Sequence, residues 1–281
     1  MSKVNPSKGM RDFLPSEKRV RESVIKKIRK VYTSFGYDEI ETPALENIKR
    51  LLSSDGGENL SLIFSTLKRG LDPDDPILPI NAVDLGLRYD LTVPLARYYA
   101  SNHSNLPDVF RAIQIGPVWR GERPQKGRFR QFTQCDIDII GLTNEQAEVE
   151  LISVTVLALN ELNIKNITVR LNDRKLLVSF LLNFGFPSEL HSSILISIDK
   201  LDKVGPDGVV AELNRKFPES SGSISKLSSF LKMFSTLEKS GEYAFSDAAK
   251  LLPSSTSQSL LDTLENIMKN VIKGVPETSI R

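Results

Sequence analysis

Between residues 16 and 35 the apolar positions Val20, Val24, Ile25, Ile28, Val31, Tyr32 and Phe35 recur at helical spacing, with Lys and Arg opposite. This predicts an amphipathic helix that Gly36 ends. Tyr37–Glu41 then reads as a strand, stopped at Thr42-Pro43 because proline cannot continue a paired ladder. Short strands are expected in the Gly- and Asp-rich stretch 53–86, at Leu60–Thr66, and at Leu85–Tyr89. Leu91–Ala100 reads as a helix with Pro94 in its first turn. Strands at Asp108–Gln114 and Pro117–Arg120 lead into a hairpin. Beyond it, Phe132, Gln134, Asp136 and Asp138 alternate with Cys135, Ile137 and Ile139, a strand with one polar and one greasy face.

Thr143-Asn144-Glu145-Gln146 fits a capping box that opens a helix to about Asn163, and Ile167–Leu171 is expected to return to the sheet. Strands paired by hairpins and covered by helices predict an α+β fold with a mostly antiparallel sheet. Residues 173–275 read as nearly all helical, in short segments broken at Gly185, Pro187, Gly205-Pro206, Pro218 and Pro253. Asn172–Lys175 and Ile198–Lys203 read there as helix caps and exposed charge.

Composition narrows the class without naming a function. A chain of 281 residues, 40% hydrophobic and 26% charged, can bury a substantial core in one large and one smaller domain. A net charge of +2 leaves any nucleic-acid affinity to local patches. One cysteine, Cys135, excludes an intrachain disulfide and fits a reducing cytosol; on the apolar strand face it reads as a small hydrophobe. His103 and His191 beside that cysteine do not support a zinc site. The N-terminus has no apolar signal core, and no run of eighteen uncharged apolar residues occurs, which predicts a soluble cytoplasmic protein without membrane partners.

The chemistry concentrates in residues 119–141. Five basic residues, Arg120, Arg123, Lys126, Arg128 and Arg130, fall within eleven positions against the single acid Glu122. A basic hairpin tip beside a strand presenting Gln and two carboxylates suits a polyphosphate together with a cationic or amine-bearing ligand. The competing interpretation is a solvated basic loop before an edge strand.

The stretch Arg120-x-Glu122-Arg123-Pro124-Gln125-Lys126-Gly127-Arg128-Phe129-Arg130-Gln131-Phe132-x-Gln134 resembles motif 2 of class II aminoacyl-tRNA synthetases, in the form used by histidyl-tRNA synthetases. Gly9-Met10-Arg11-Asp12-Phe13-Leu14-Pro15 is similar to that family's N-terminal signature. The helix, the strand and Thr42-Pro43-Ala44-Leu45-Glu46 resemble motif 1, and Leu87–Pro94 the histidine-site segment. The resemblance implies an antiparallel class II sheet flanked by helices in residues 1–172, a helical insertion in 173–275, and a return to the core from 276. It also implies a histidine–tRNA ligase using ATP and Mg2+, acting on L-histidine and tRNA-His, and forming a homodimer through the motif 1 unit.

By that resemblance Arg120 is the catalytic residue, forking onto the α-phosphate and the substrate carboxylate. Asp90, Thr92 and Gln134 hold the α-amino group, and Asp138 faces the imidazole. Glu122, Arg128, Arg130 and Phe132 join Arg120 in the ATP site, with Phe132 as the ring on which adenine stacks. Gln125 contacts the tRNA acceptor stem, and no metal cage is implied. Core packing competes for Phe132, and a surface salt bridge for Asp138. Many relatives carry Glu at the positions of Asp90 and Asp138.

The family's second histidine signature, its motif 3 and its anticodon-binding domain have no counterpart before Arg281. Two alternatives therefore stand beside the ligase: a non-catalytic paralogue such as the histidine-sensing regulatory subunit of ATP phosphoribosyltransferase, and a dimerisation or tRNA-binding module. The intact hairpin favours the ligase. This chain alone is expected to support histidine-dependent ATP–pyrophosphate exchange feebly or not at all; robust exchange would contradict that expectation.

Overall fold

The computed structural model describes residues 4–53, 62–68, 82–239, 249, 252, 256–276 and 278–280. The chain divides into two compact units, 1–165 and 166–281.

In the first unit, helix α1 (Pro15–Ser34) starts with Pro15 in its first turn, and the Glu17 side chain returns to the Leu14 amide at 2.9 Å. It ends as expected: Gly36 takes φ +81°, a left-handed conformation that costs glycine little. Strand β1 (Asp38–Glu39) is shorter than its pattern suggests. It pairs in parallel with β5 (Phe110–Trp119), which pairs antiparallel along its whole length with β6 (Gln131–Ile140). The two strands expected around Ile115-Gly116 are therefore one. Pro117 is tolerated within it, opposite Thr133.

A second antiparallel sheet has the order β2 (Leu45–Asn47), β4 (Val83–Leu87), β3 (Ser65–Leu67). Part of the strand expected at 60–66 lies outside the described residues. Helix α2 (Ile48–Ser53) follows β2, and α3 (Thr92–Asn102) follows β4.

The period-two pattern of β6 is realised. Ile137 and Ile139 turn to a core with Ile113, Ile115, and Tyr32, Ile28 and Val31 of α1. That core also takes Val154 and Ala158 of α4 (Gln146–Glu161). The expected capping box before α4 does not form. Glu145 holds the cap position, and Asn144 Oδ1 accepts from the Gln146 amide at 3.2 Å. A shorter side chain one residue later reaches the same end of the helix, so Thr143 is not needed. Cys135 shares the apolar face, and burial pushes its thiol up to about 11, as suits an unreactive hydrophobe.

One buried cation ties these sheets together. Arg88, directly after β4, donates from Nη1 to the Thr42 carbonyl at 2.6 Å and Thr42 Oγ1 at 3.1 Å, and from Nε to the Pro117 carbonyl at 3.0 Å. The backbone adds Arg88 N to Ala44 O at 2.9 Å and Trp119 N to Arg88 O at 3.0 Å. Gly116 leaves room for it: a Cβ there would lie 2.6 Å from Arg88 Nη2.

In the second unit, β7 (Thr168–Val169) pairs in parallel with β8 (Ser279–Ile280). The segment expected to return to the main sheet thus forms a two-stranded sheet of its own. Helix α5 (Arg174–Phe184) is capped by Asp173, whose carboxylate accepts from the amides of Lys175 and Leu176, and closed by Gly185 at φ +89°. Helices α6 (His191–Ile198), α7 (Leu201–Lys216) and α8 (Ser221–Lys239) follow, with α7 kinked at Gly205-Pro206. Their core holds Leu181, Ile194, Leu213, Ile224 and Leu231. Helix α9 (Gln258–Gly274) brings Leu264 against Leu176 and Phe180. The break expected at Pro253 lies outside the described residues.

Arg88→Met is expected to cost about 2–4 kcal/mol of unfolding free energy, because the buried Thr42 carbonyl and hydroxyl and the part-buried Pro117 carbonyl lose their donor at once. Urea denaturation checks this. An unchanged midpoint would show that the buried guanidinium is not the tie proposed.

Candidate active site

The polar face of β6 looks across the β5 register. Asp138 stands opposite Ala112, Asp136 opposite Gln114, Gln134 opposite Gly116 and Phe132 opposite Val118. Cross-strand partners share a face, so the small residues Ala112 and Gly116 of β5 leave Asp138 and Gln134 standing over it. At one end α3 closes the floor, with Leu95, Tyr98 and Tyr99 packed around Phe110 and Ala112.

The segment between β4 and α3 is stitched above this face. Arg120 Nε donates to the Tyr89 carbonyl at 3.0 Å, and Gln114 Nε2 to the Leu91 carbonyl at 3.0 Å. Both bonds come from β5 or its end and leave Asp90 between them. Asp90 Oδ1 accepts from the Val93 amide at 3.2 Å, opening α3, and Thr92 is its exposed first residue. Asp90 is close enough to Asp136 and Asp138 for its charge to raise the pKa of both. The sequence-predicted pair Asp90 and Asp138 therefore comes together across 48 positions of chain.

Burial is the larger cause of both shifts. It pushes Asp136 up to about 6, with the carboxylates of Asp138 and Asp90 adding to the rise and Arg120 opposing it. Asp138 is raised by burial and then by Asp90. The Gln134 side-chain oxygen is buried without a hydrogen-bond partner. A buried acceptor left unpaired beside half-buried carboxylates is a site short of donors, which an ammonium or an imidazole N–H would supply.

Arg120 borders the acidic end of this face. Its guanidinium carbon lies 5.2 Å from the centre of the Phe132 ring, so the predicted catalytic cation and the predicted adenine platform are neighbours. The hairpin beyond turns at Gly127 (φ +78°), with a bridge between Gln125 and Arg128. Gln125 is exposed at this tip. Glu122 pairs with Arg128 at 3.1 Å, and Arg130 Nε donates to the Glu122 carbonyl at 3.0 Å. Arg130 thus braces the hairpin, while Arg128, more than half exposed, keeps its guanidinium toward solvent. Among the described residues no group of three or more His, Cys, Asp or Glu side chains could hold a metal ion. Nor is any helix among them long and apolar enough to cross a membrane.

Two residues of this site had no role assigned by motif or pattern. Asp136 was visible on the polar face by alternation alone. Gln114 had no sequence signal, because its role depends on the β5–β6 register.

The histidyl-tRNA synthetase family model matches residues 9–278. The chain belongs to the histidyl-tRNA synthetase family. It is 52% identical over 219 residues to a histidine–tRNA ligase of Leifsonia xyli subsp. xyli, covering 76% of this chain and 51% of that relative. With a probable histidine–tRNA ligase of Tropheryma whipplei it shares 48% over 212 residues, covering 75% and 50%. This member of the family therefore spans about half the length of the curated relatives it matches. Its fold is similar to that of histidyl-tRNA synthetase from Nostoc sp. PCC 7120, with a TM-score of 0.73 and 31% identity over 100% of this chain and 61% of that one. A protein of Bacillus halodurans C described as an ATP phosphoribosyltransferase regulatory subunit/histidyl-tRNA synthetase has the same TM-score at 19% identity, over 99% and 68%, a likeness of fold alone. The expected α+β class II architecture holds.

Asp136 binds a proton in the folded state between its ordinary value of 3.8 and about 6, where the unfolded chain has released it. Its contribution to stability is present below that window and is lost as pH rises through it. Asp136→Asn should therefore gain stability relative to wild type from about pH 4 to 6 and keep that gain above it. The difference between the two pH profiles of urea midpoint isolates the effect, since Glu150 and Glu212 have lowered pKa values and contribute the opposite slope. A constant difference at every pH would contradict it.

Proposed function

We propose that this chain carries the histidine- and ATP-binding half of a histidine–tRNA ligase. The observation that carries the reading is the meeting of Asp90, Asp136, Asp138 and the unpaired Gln134 oxygen with Arg120 at the border of a basic hairpin. In this reading Asp90, Thr92 and Gln134 take the substrate ammonium, and Asp138 accepts an imidazole N–H. Arg120 holds the carboxylate against the α-phosphate of ATP. The carboxylate oxygen forms a bond to that phosphorus as the bond to the bridging oxygen breaks, and pyrophosphate leaves. Arg120 serves the step by neutralising the charge spread over the phosphoryl oxygens.

Phe132 provides the face for adenine, and Arg128 and Arg130 flank the polyphosphate. Arg128 can do so only by leaving Glu122, an exchange of one anion for another of higher charge. Magnesium would arrive on the ATP oxygens and screen phosphate charge, and Glu122 could lend it an oxygen once free of Arg128. Gln125, exposed at the tip, suits the acceptor stem of tRNA-His. Residues 1–172 act in this reading as the class II core and 173–275 as its helical insertion, with 276–281 beginning the return.

A homodimer is supported by apolar side chains left uncovered in the motif 1 unit, Val20 of α1 at 65% exposure and Phe35 just after it at 45%. The unbridged Cys135 suits a cytoplasmic setting.

Calorimetric titration with L-histidine tests the site without requiring turnover. Saturable binding is expected, weakened about tenfold or more in Asp138→Asn, which turns an acceptor into a partial donor facing an N–H. Absence of saturable heat, or equal affinity in the variant, would overturn the assignment.

A further inference from the structure

The N-terminal segment lies against the hairpin instead of leading freely into α1. The Gly9 carbonyl accepts from the Arg130 amide at 2.7 Å, and Gly9 takes φ +82°. The approach is close: a Cβ on Gly9 would fall 2.6 Å from Pro124 Cγ and 2.9 Å from Arg130 Cγ. Only glycine satisfies both the backbone sign and the space. Next along the chain, the Arg11 guanidinium sits between two rings, 4.6 Å from the centre of Phe13 and 4.3 Å from that of Phe129. Arg21 of α1 covers Phe13 at 4.0 Å and donates from Nη2 to Thr133 Oγ1 at 2.9 Å. The order Phe129, Arg11, Phe13, Arg21 is thus an alternating stack of rings and cations. It begins on the hairpin, passes through the N-terminal segment and ends on α1, which is anchored in the core.

Arg21 meets β6 at Thr133, on the face opposite Phe132 and Gln134. The contacts grip the hairpin at three points: the backbone of Arg130, the ring of Phe129 and the hydroxyl of Thr133. A two-stranded ribbon extending beyond its sheet has little to hold its direction, because such ribbons twist freely. We propose that Gly9–Phe13 is a clamp on the hairpin, and that Arg11 and Phe13 are positioning residues setting where Arg128 and Arg130 present their charge. The proposal rests on the reading of that hairpin as the nucleotide-facing element, but its geometry can be tested without nucleotide.

The chain supplies two reporters. Trp119, its single tryptophan, stands at the base of the hairpin with Nε1 donating to Gln131 Oε1 at 3.2 Å. Lys126 and Arg128 are exposed tryptic sites at the tip. Arg11→Met keeps an unbranched stem and removes the cation, and Phe13→Leu removes the ring that both cations share. Arg19→Met makes the same charge change on an exposed position of α1 outside the stack.

In the full chain without ligand, Arg11→Met and Phe13→Leu should each be cut after Lys126 and Arg128 roughly two- to fivefold faster than wild type, the ratio expected for losing one partly exposed cation–π contact. Acrylamide quenching of Trp119 should rise in parallel. Arg19→Met should match wild type in both. The clamp is overturned if Arg11→Met behaves as Arg19→Met does, or if cleavage accelerates equally at Lys203 in the second unit, which would mean general loss of stability. A saturating addition of ATP decides the nucleotide reading separately. Protection of Lys126 and Arg128 in wild type upholds it; no protection removes it, with the clamp still judged on the ligand-free rates.

Discussion

The Arg88 guanidinium is the interaction on which the site depends. Its carrier segment links two sheets that are not hydrogen-bonded to each other along their strands, and it does so with one side chain buried to 5% exposure. Nη1 reaches Thr42, in the segment between β1 and β2, and Nε reaches β5 at Pro117, so the end of β4 is fixed relative to both. The next two residues inherit that placement: the Tyr89 carbonyl meets Arg120, and Asp90 is delivered above the polar face of β6. A lysine could not do this, since one ammonium lacks the planar fork that reaches acceptors in diverging directions. Gly116 is the counterpart on β5, open where any side chain would strike Nη2.

Once the loop is fixed, electrostatics follow from crowding. Three carboxylates share a partly dehydrated face with one nearby cation, Arg120, and a carboxamide oxygen that has no donor. Carboxylates pushed upward by burial and by each other are relieved by a positively charged or N–H-rich ligand. The single charge of Arg120 cannot neutralise all three, and its Nε is turned to the Tyr89 carbonyl. In the proposed function this arrangement would favour a ligand with cationic and donor groups at one end. Its anionic end would point toward the hairpin, where Arg123, Lys126, Arg128 and Arg130 outnumber Glu122.

How much of this was legible in the sequence depended on how local the cause was. The two faces of β6 could be read directly, because alternation in ten residues needs no partner strand. The start and stop of α1 and the Asp173 and Gly185 caps of α5 were equally local. The motif resemblance assigned Asp90 and Asp138 to one pocket, although nothing in their spacing requires it. What escaped was relational. The strand at 168–169 has the composition of a sheet element, but its partner is Ser279–Ile280, so its sheet could not be assigned from its own pattern. Two strands merged into β5 because the long ladder with β6 outweighed the disruption at Gly116-Pro117. Arg11 and Arg88 stood inside the family-like segments without a role of their own, and Gln114 only ended a predicted strand, until their acceptors and rings were placed around them.

The central claim is that one continuous site, anchored by Arg88 and lined by the polar face of β6, receives histidine at its acidic end and the nucleotide at its basic end. Calorimetric titration with a non-hydrolysable histidyl-adenylate analogue tests it most directly, with the seryl analogue as control. The account predicts one site per chain, binding the histidyl compound more tightly than either L-histidine or ATP alone and more tightly than the seryl compound. Equal affinity for the two analogues, or an affinity no better than that for ATP, would contradict it.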